Sequence, residues 1–276
     1  MRQSIYQPHA TANHEGLRIA QLFRSSRGLR DVRACDLEAI LAEDKIALAD
    51  TQLEIPGFVA CLVQTEGKAG ILLMPGQESG RRRFSIAHEL GHYHIPKHKS
   101  SGMRLNCADS DLRVQDQDGE EKQKEWEANE FAAELLMPAT LFGKDIDHRS
   151  VSFETVAELA SPDMYNVSMT AAAWRVIQTT REACCLVVAK EGRVEWMAKS
   201  KSCPFVATWK GDKVSSDSLM ASVFSGESGS TRQVQVPSYA WIDGSSADQV
   251  EVFESTHSIS KLGQVLTLVR FVQEND

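Results

Sequence analysis

The sequence predicts an α+β chain in two unlike parts, and three observations carry that prediction. The front half shows helical periodicity interrupted by one pair of strand-like runs. A histidine-rich helix stands near its middle. Beyond about residue 180 the pattern changes to short β-branched and aromatic runs. The expected layout is a helical domain with a small sheet over 1–148, a helical connector over 149–179 and a β-rich domain over 180–276.

Residues 12 to 44 read as helical, because GLRIAQLF and VRACDLEAILAEDKI repeat apolar residues at three- and four-residue steps around a break at Arg27-Gly28. FVACLVQT (58 to 65) and AGILLMP (69 to 75) read as strands joined by a turn at Glu66-Gly67. The helix in FSIAHELGHYHIPKH (84 to 98) must stop near Pro96. Residues 97 to 122 are polar and Asp-rich, the composition of a long surface loop, and KEWEANEFAAELLM is a further helix ending at Pro138. From 151 to 178 helical spacing returns, with a break at Ser161-Pro162. That segment fits a helix-turn-helix or two connecting helices packed on the core. Its acidic first half and its single basic residue, Arg175, favour the second reading. After 180, ACCLVVAK, RVEWMAKS, FVATWK, RQVQVPSYAWI, DQVEVF and QVLTLVRFV read as strands. Glu191-Gly192 is a hairpin turn, and SGESGST (225 to 231) a flexible loop.

A formal charge of −8 argues against a general electrostatic grip on DNA or on anionic membranes. Direct nucleic-acid binding is therefore not expected. The first residues lack the apolar core of a signal peptide and no run approaches a membrane span, so a cytoplasmic protein is expected. The six cysteines are scattered without a CxxC pair, which fits reduced, packed thiols better than a disulfide framework.

The histidines carry the chemistry. Positions four apart on a helix share a face, so His88 and His92 can offer two imidazole nitrogens to one ion. His94 lies roughly 200° round from His92, and His98 lies past Pro96; both read as solvated or capping residues. Glu89 completes the pattern His-Glu-x-x-His, where a carboxylate can take a proton from an activated water. Two neutral imidazoles favour zinc over magnesium or calcium, with manganese or iron as possible occupants. The bland alternative is a satisfied pair of core histidines.

A catalytic zinc takes three protein ligands and keeps one position open. In the helix from Lys124, one face carries Glu125, Ala128, Asn129, Ala132 and Leu136, while Glu127, Glu130 and Glu134 form a separate stripe that reads as solvated. Glu125 is therefore the expected third ligand and Asn129 a support for a ligand histidine. Glu125 as a plain helix-start acid is the bland reading. Glu127 is the main rival ligand, and Asp109, Asp111 and Asp116 are weaker ones. Cys107 could offer a thiolate to the open position, although a plain buried thiol is the simpler reading.

FSIAHELGHYHI followed by EWEANEFAAELLMP resembles the signature of the ImmA/IrrE family of bacterial metallopeptidases. The hairpin ending in LLMP before the histidine helix fits too, so the resemblance covers about residues 30 to 140. It implies a zincin-like fold, His88, His92 and Glu125 as zinc ligands and Glu89 as general base. It also implies a protein substrate: a helix-turn-helix repressor, cleaved or otherwise inactivated after stress or a mobile-element signal so that genes are switched on. Some members carry a C-terminal GAF-like sensor, a role the sheet-rich 180–276 segment would suit, though it is short for one and no motif names its ligand. The competing reading is a regulator that displaces a repressor by contact alone, with a structural or vestigial metal site. The intact Glu89 counts against it, since a structural site has no use for a general base.

Overall fold

The computed structural model describes residues 14–52, 58–65, 67–98, 102–103, 119–204, 206–242 and 249–273. The architecture is mixed α+β. Its described residues form two compact units, 14–141 with 160–168, and 142–159 with 169–273, so the 149–179 stretch is divided between them. No described helix is long and apolar enough to cross a membrane.

In the first unit the elements are α1 (Glu15–Ser26), α2 (Leu37–Glu43), β1 (Ile46–Asp50), β2 (Ala60–Thr65), β3 (Lys68–Leu73), α3 (Ser79–His94), a short 3-10 turn (Pro96–His98), β4 (Gly102–Met103) and α4 (Gly119–Leu136). The expected break at Arg27-Gly28 separates α1 from α2, and Asp36 caps α2: its carboxylate accepts from the backbone N–H groups of Glu38 and Ala39. The sheet order is β1-β3-β2-β4, with β1 parallel to β3 and the other pairs antiparallel. β1 was not foreseen; IALAD follows directly on a helix and is too short for a period-2 signal. α3 lies on β2 and β3 with Ile86, Ala87 and Leu90 buried.

α4 packs against both α1 and α3, and glycines set the spacing. A Cβ on Gly16 would stand 1.9 Å from the Glu127 carbonyl oxygen. A Cβ on Gly91 would stand 3.1 Å from the Ala128 Cα and 3.2 Å from the Phe131 Cβ. The x-Gly step of His-Glu-Leu-Gly-His thus lets α4 approach the histidine helix closely. The buried Arg24 guanidinium secures the far end of α1 by donating to the Leu29, Val32 and Leu135 carbonyls.

The second unit contains α7 (Met169–Thr179), β5 (Cys184–Lys190), β6 (Arg193–Lys199), α8 (Leu219–Phe224), β7 (Val234–Val236), β8 (Val250–Ile259) and β9 (Gln264–Gln273). α5 (Ala139–Ile146) runs across the 141/142 boundary, and α6 (Phe153–Ala160) belongs to this unit as far as Leu159. Its sheet is antiparallel, in the order β6-β5-β9-β8-β7. Glu191 (φ 51) and Gly192 (φ 72) form the expected tight hairpin turn, whose twist requires positive φ at both positions. Two strand expectations need correction. Residues 206–210 of FVATWK are not in a strand, although Val206 is fully buried, and Phe205 lies outside the described residues. The run is turned aside at Trp209, whose N–H donates to the Asp212 carboxylate. RQVQVPSYAWI gives only the three-residue β7, because Pro237 ends the pairing and a 3-10 turn follows. The core packs Val187, Met197, Val252, Val269, Phe271 and Trp241.

Candidate metal centre

α3 delivers His88 and His92 from successive turns to its α4-facing side, both buried. α4 returns Glu125 to the same point. The His88 and His92 Nε2 atoms are 3.1 Å apart. Glu125 Oε2 is 3.1 Å from His88 Nε2 and Oε1 is 3.3 Å from His92 Nε2. Among the described residues, these three are the group of His, Cys, Asp and Glu side chains that can hold a metal ion.

The donor set fits a divalent cation. Four ligands at about 2.0–2.1 Å from a tetrahedral ion stand about 3.3 Å from one another, close to the three separations found here. The hydrogen bonds agree. His88 Nδ1 lies 2.8 Å from the Asn129 side-chain oxygen and donates to it, which leaves a lone pair on the neutral ring's Nε2. Burial lowers the His92 pKa to about 4, so this ring is neutral at pH 7. Two ring nitrogens and a carboxylate therefore converge with negative potential, an arrangement that a cation relieves.

Glu89, one residue on from His88, is 1 % exposed. Its charge, after burial, raises the Cys61 thiol on β2 to about 11.

Three sequence expectations change. His98 is buried, with its Nδ1 3.1 Å from His92 Nδ1 and its Nε2 2.9 Å from Glu127 Oε2. His94 is half-buried, bonded to Asp44 Oδ2 at 2.9 Å and packed on the Phe23 and Phe131 rings. Neither histidine is a solvated bystander: Asp44, Phe23 and Phe131 surround His94, and Glu127 of α4 answers His98. Of the stripe Glu127, Glu130 and Glu134, the first and last are buried and Glu130 is half-buried: Glu127 accepts from His98 and Gln123, and Glu134 accepts from the Ala139 N–H. The rival ligand Glu127 is thereby occupied away from the three donors. Sequence reasoning missed the His98–Glu127 pair, for which the density of histidines in 84–98 was the only available signal. Cys107, Asp109, Asp111 and Asp116 lie outside the described residues.

A histidine helix laid on a small mixed sheet, with a second helix bringing a carboxylate to it, defines a zincin-like domain of metallopeptidase type. Residues 60–176 match the family model Peptidase_M78, described as the IrrE N-terminal-like domain, and the resemblance to the ImmA/IrrE family is shown over that stretch. No curated protein matches the chain. Among solved structures, a Mycobacterium tuberculosis transcriptional regulator is similar with a TM-score of 0.55, over 94% of this chain and 87% of that one. At 13% identity that likeness speaks for the fold alone.

Proposed function

We propose that the protein is a metal-dependent endopeptidase whose substrate is a helix-turn-helix transcriptional repressor, so that cleavage releases repressed stress or mobile-element genes. The observation that carries the reading is the convergence of His88, His92 and Glu125 donors beside a buried Glu89, within a domain that matches a peptidase family. His88, His92 and Glu125 would hold the ion, with zinc the best fit to two imidazoles and one carboxylate and manganese or iron as alternatives. When bound, the ion supplies Lewis-acid polarisation of the scissile carbonyl and a more acidic water.

The chain's own residues do the rest. Glu89 accepts the proton of the attacking water and returns it to the leaving amine nitrogen. Asn129 accepts from His88 Nδ1, and so keeps that ring turned with its Nε2 toward Glu125. The second unit, with its five-stranded sheet, is the natural place for a sensory role.

The test is co-expression of the full chain with candidate repressors, wild type beside Glu89→Gln, scored for repressor fragments. Cleavage should fall by about 10²–10⁴-fold in the variant while metal stays bound. Cleavage at an undiminished rate refutes the mechanism. Repressor release by Glu89→Gln without fragments would favour displacement by contact.

A further inference from the structure

The His92 ring has a second partner that the ligand set does not explain. His98 is carried by the 3-10 turn Pro96–His98, six residues beyond His92, and its side chain is fully buried. On its far side Glu127, from α4, is 4 % exposed at the side chain. Glu127 uses both oxygens: Oε2 faces His98 Nε2 at 2.9 Å and Oε1 accepts from Gln123 Nε2 at 2.8 Å. Burying a carboxylate and an imidazole costs free energy unless each is answered, and here each is.

The protons can be assigned along this array. A carboxylate only accepts, so His98 Nε2 must carry a hydrogen. A neutral His98 then has its lone pair on Nδ1, 3.1 Å from His92 Nδ1. His92 must therefore donate from Nδ1, which leaves its own lone pair on Nε2, the atom that faces His88 and Glu125. The negative charge of Glu127 is relayed through one imidazole to a second, fixing its tautomer and its ring plane.

We infer that His98 and Glu127 are positioning residues, a buried carboxylate–imidazole pair that holds His92 in its metal-binding tautomer. This rests on the metal-centre reading above. It assigns His88 and His92 different supports: a neutral amide, Asn129, for the first and an anion acting through a histidine for the second. It also explains why α3, its trailing turn and α4 meet around one ring.

The test is Zn2+ affinity of the full, metal-stripped chain, measured by competition with a chromophoric chelator, which needs no substrate. His98→Phe keeps a ring of similar size and removes both contacts, and should weaken Zn2+ binding by about 10–100-fold. Glu127→Gln keeps the shape and removes the charge, and should weaken it by about threefold or more. Because Glu127 acts only through His98, the double variant should bind within about twofold of His98→Phe alone. Zn2+ affinity of His98→Phe within about twofold of wild type overturns the inference, and additive losses overturn the serial arrangement. Should His98→Phe fail to fold, Glu127→Gln decides: unchanged affinity there overturns it. A wild-type chain that binds no Zn2+ removes the metal-centre reading itself, an outcome distinct from unchanged affinity in the variants.

Discussion

Glu254 in the sheet unit and Glu127 in the helical unit are buried alike, at 0 % and 3 % exposed, yet they are satisfied differently. Glu254 receives neutral donors, among them Trp241 Nε1 at 2.5 Å, Ser218 Oγ at 2.9 Å and the Met220 N–H at 3.3 Å. These bonds tie the start of α8 to β8. Burial pushes its carboxyl up, and those donors offset that only in part. Glu127 instead faces an imidazole that faces another, and the array runs to a point where three lone-pair donors meet. A buried carboxylate closed by N–H and O–H groups is part of a core. One whose partners converge on further acceptors belongs to a site.

Four perturbations test the difference between the two carboxylates and their surroundings. Trp241→Ala should cost about 3–5 kcal/mol in denaturant unfolding, from the cavity and the lost donor to Glu254. Its Zn2+ affinity should match wild type, and loss of metal binding would erase the distinction between the two carboxylates.

Next comes pH. His92 titrates at about 4 in the folded chain against an ordinary 6.5, so between those values the unfolded chain binds the proton and the folded chain does not. Stability of the metal-free protein should therefore fall on acidification from pH 6.5 to 4, by on the order of 3 kcal/mol. Glu254 acts in the opposite sense: its raised pKa gives a contribution present at low pH and lost as pH rises. A His92→Gln chain should show a shallower slope over that window, and equal slopes would contradict the assignment.

Gly91→Ala forces its Cβ against Ala128 and Phe131 at 3.1–3.2 Å, and should destabilise by about 1–3 kcal/mol. Because the α3–α4 spacing also sets the distance from Glu125 to the histidines, Zn2+ affinity should fall with it; unchanged affinity would show that α4 can shift without disturbing the site. Asp36→Ala, which removes the α2 cap, should cost about 1 kcal/mol in thermal unfolding and leave Zn2+ affinity unaltered.

What could be read from the sequence follows the reach of helical geometry. His88 and His92 share a face by spacing alone, and the row Glu125, Ala128, Asn129 is the face that meets them in the structure. His98 was out of reach because the turn after Pro96 has no period that says where its third residue points. Glu127 and Glu134 were misread because polarity alone suggests solvent, whereas each is buried by a partner distant from it on the helix face: a histidine before α4 in the chain and a backbone N–H just after it. In the sheet unit, alternation located β5, β6 and β9 but overran at 206–210, where a local Asp212 turn outcompetes pairing.

His88, His92 and Glu125 are proposed to bind one cation together. The most direct test is the stoichiometry of Zn2+ bound by the purified full chain, compared with His88→Ala, His92→Ala and Glu125→Ala. One ion per wild-type chain, lost or greatly weakened in each variant, is the result expected. No ion in the wild type, or undiminished binding in any of the three variants, would contradict it.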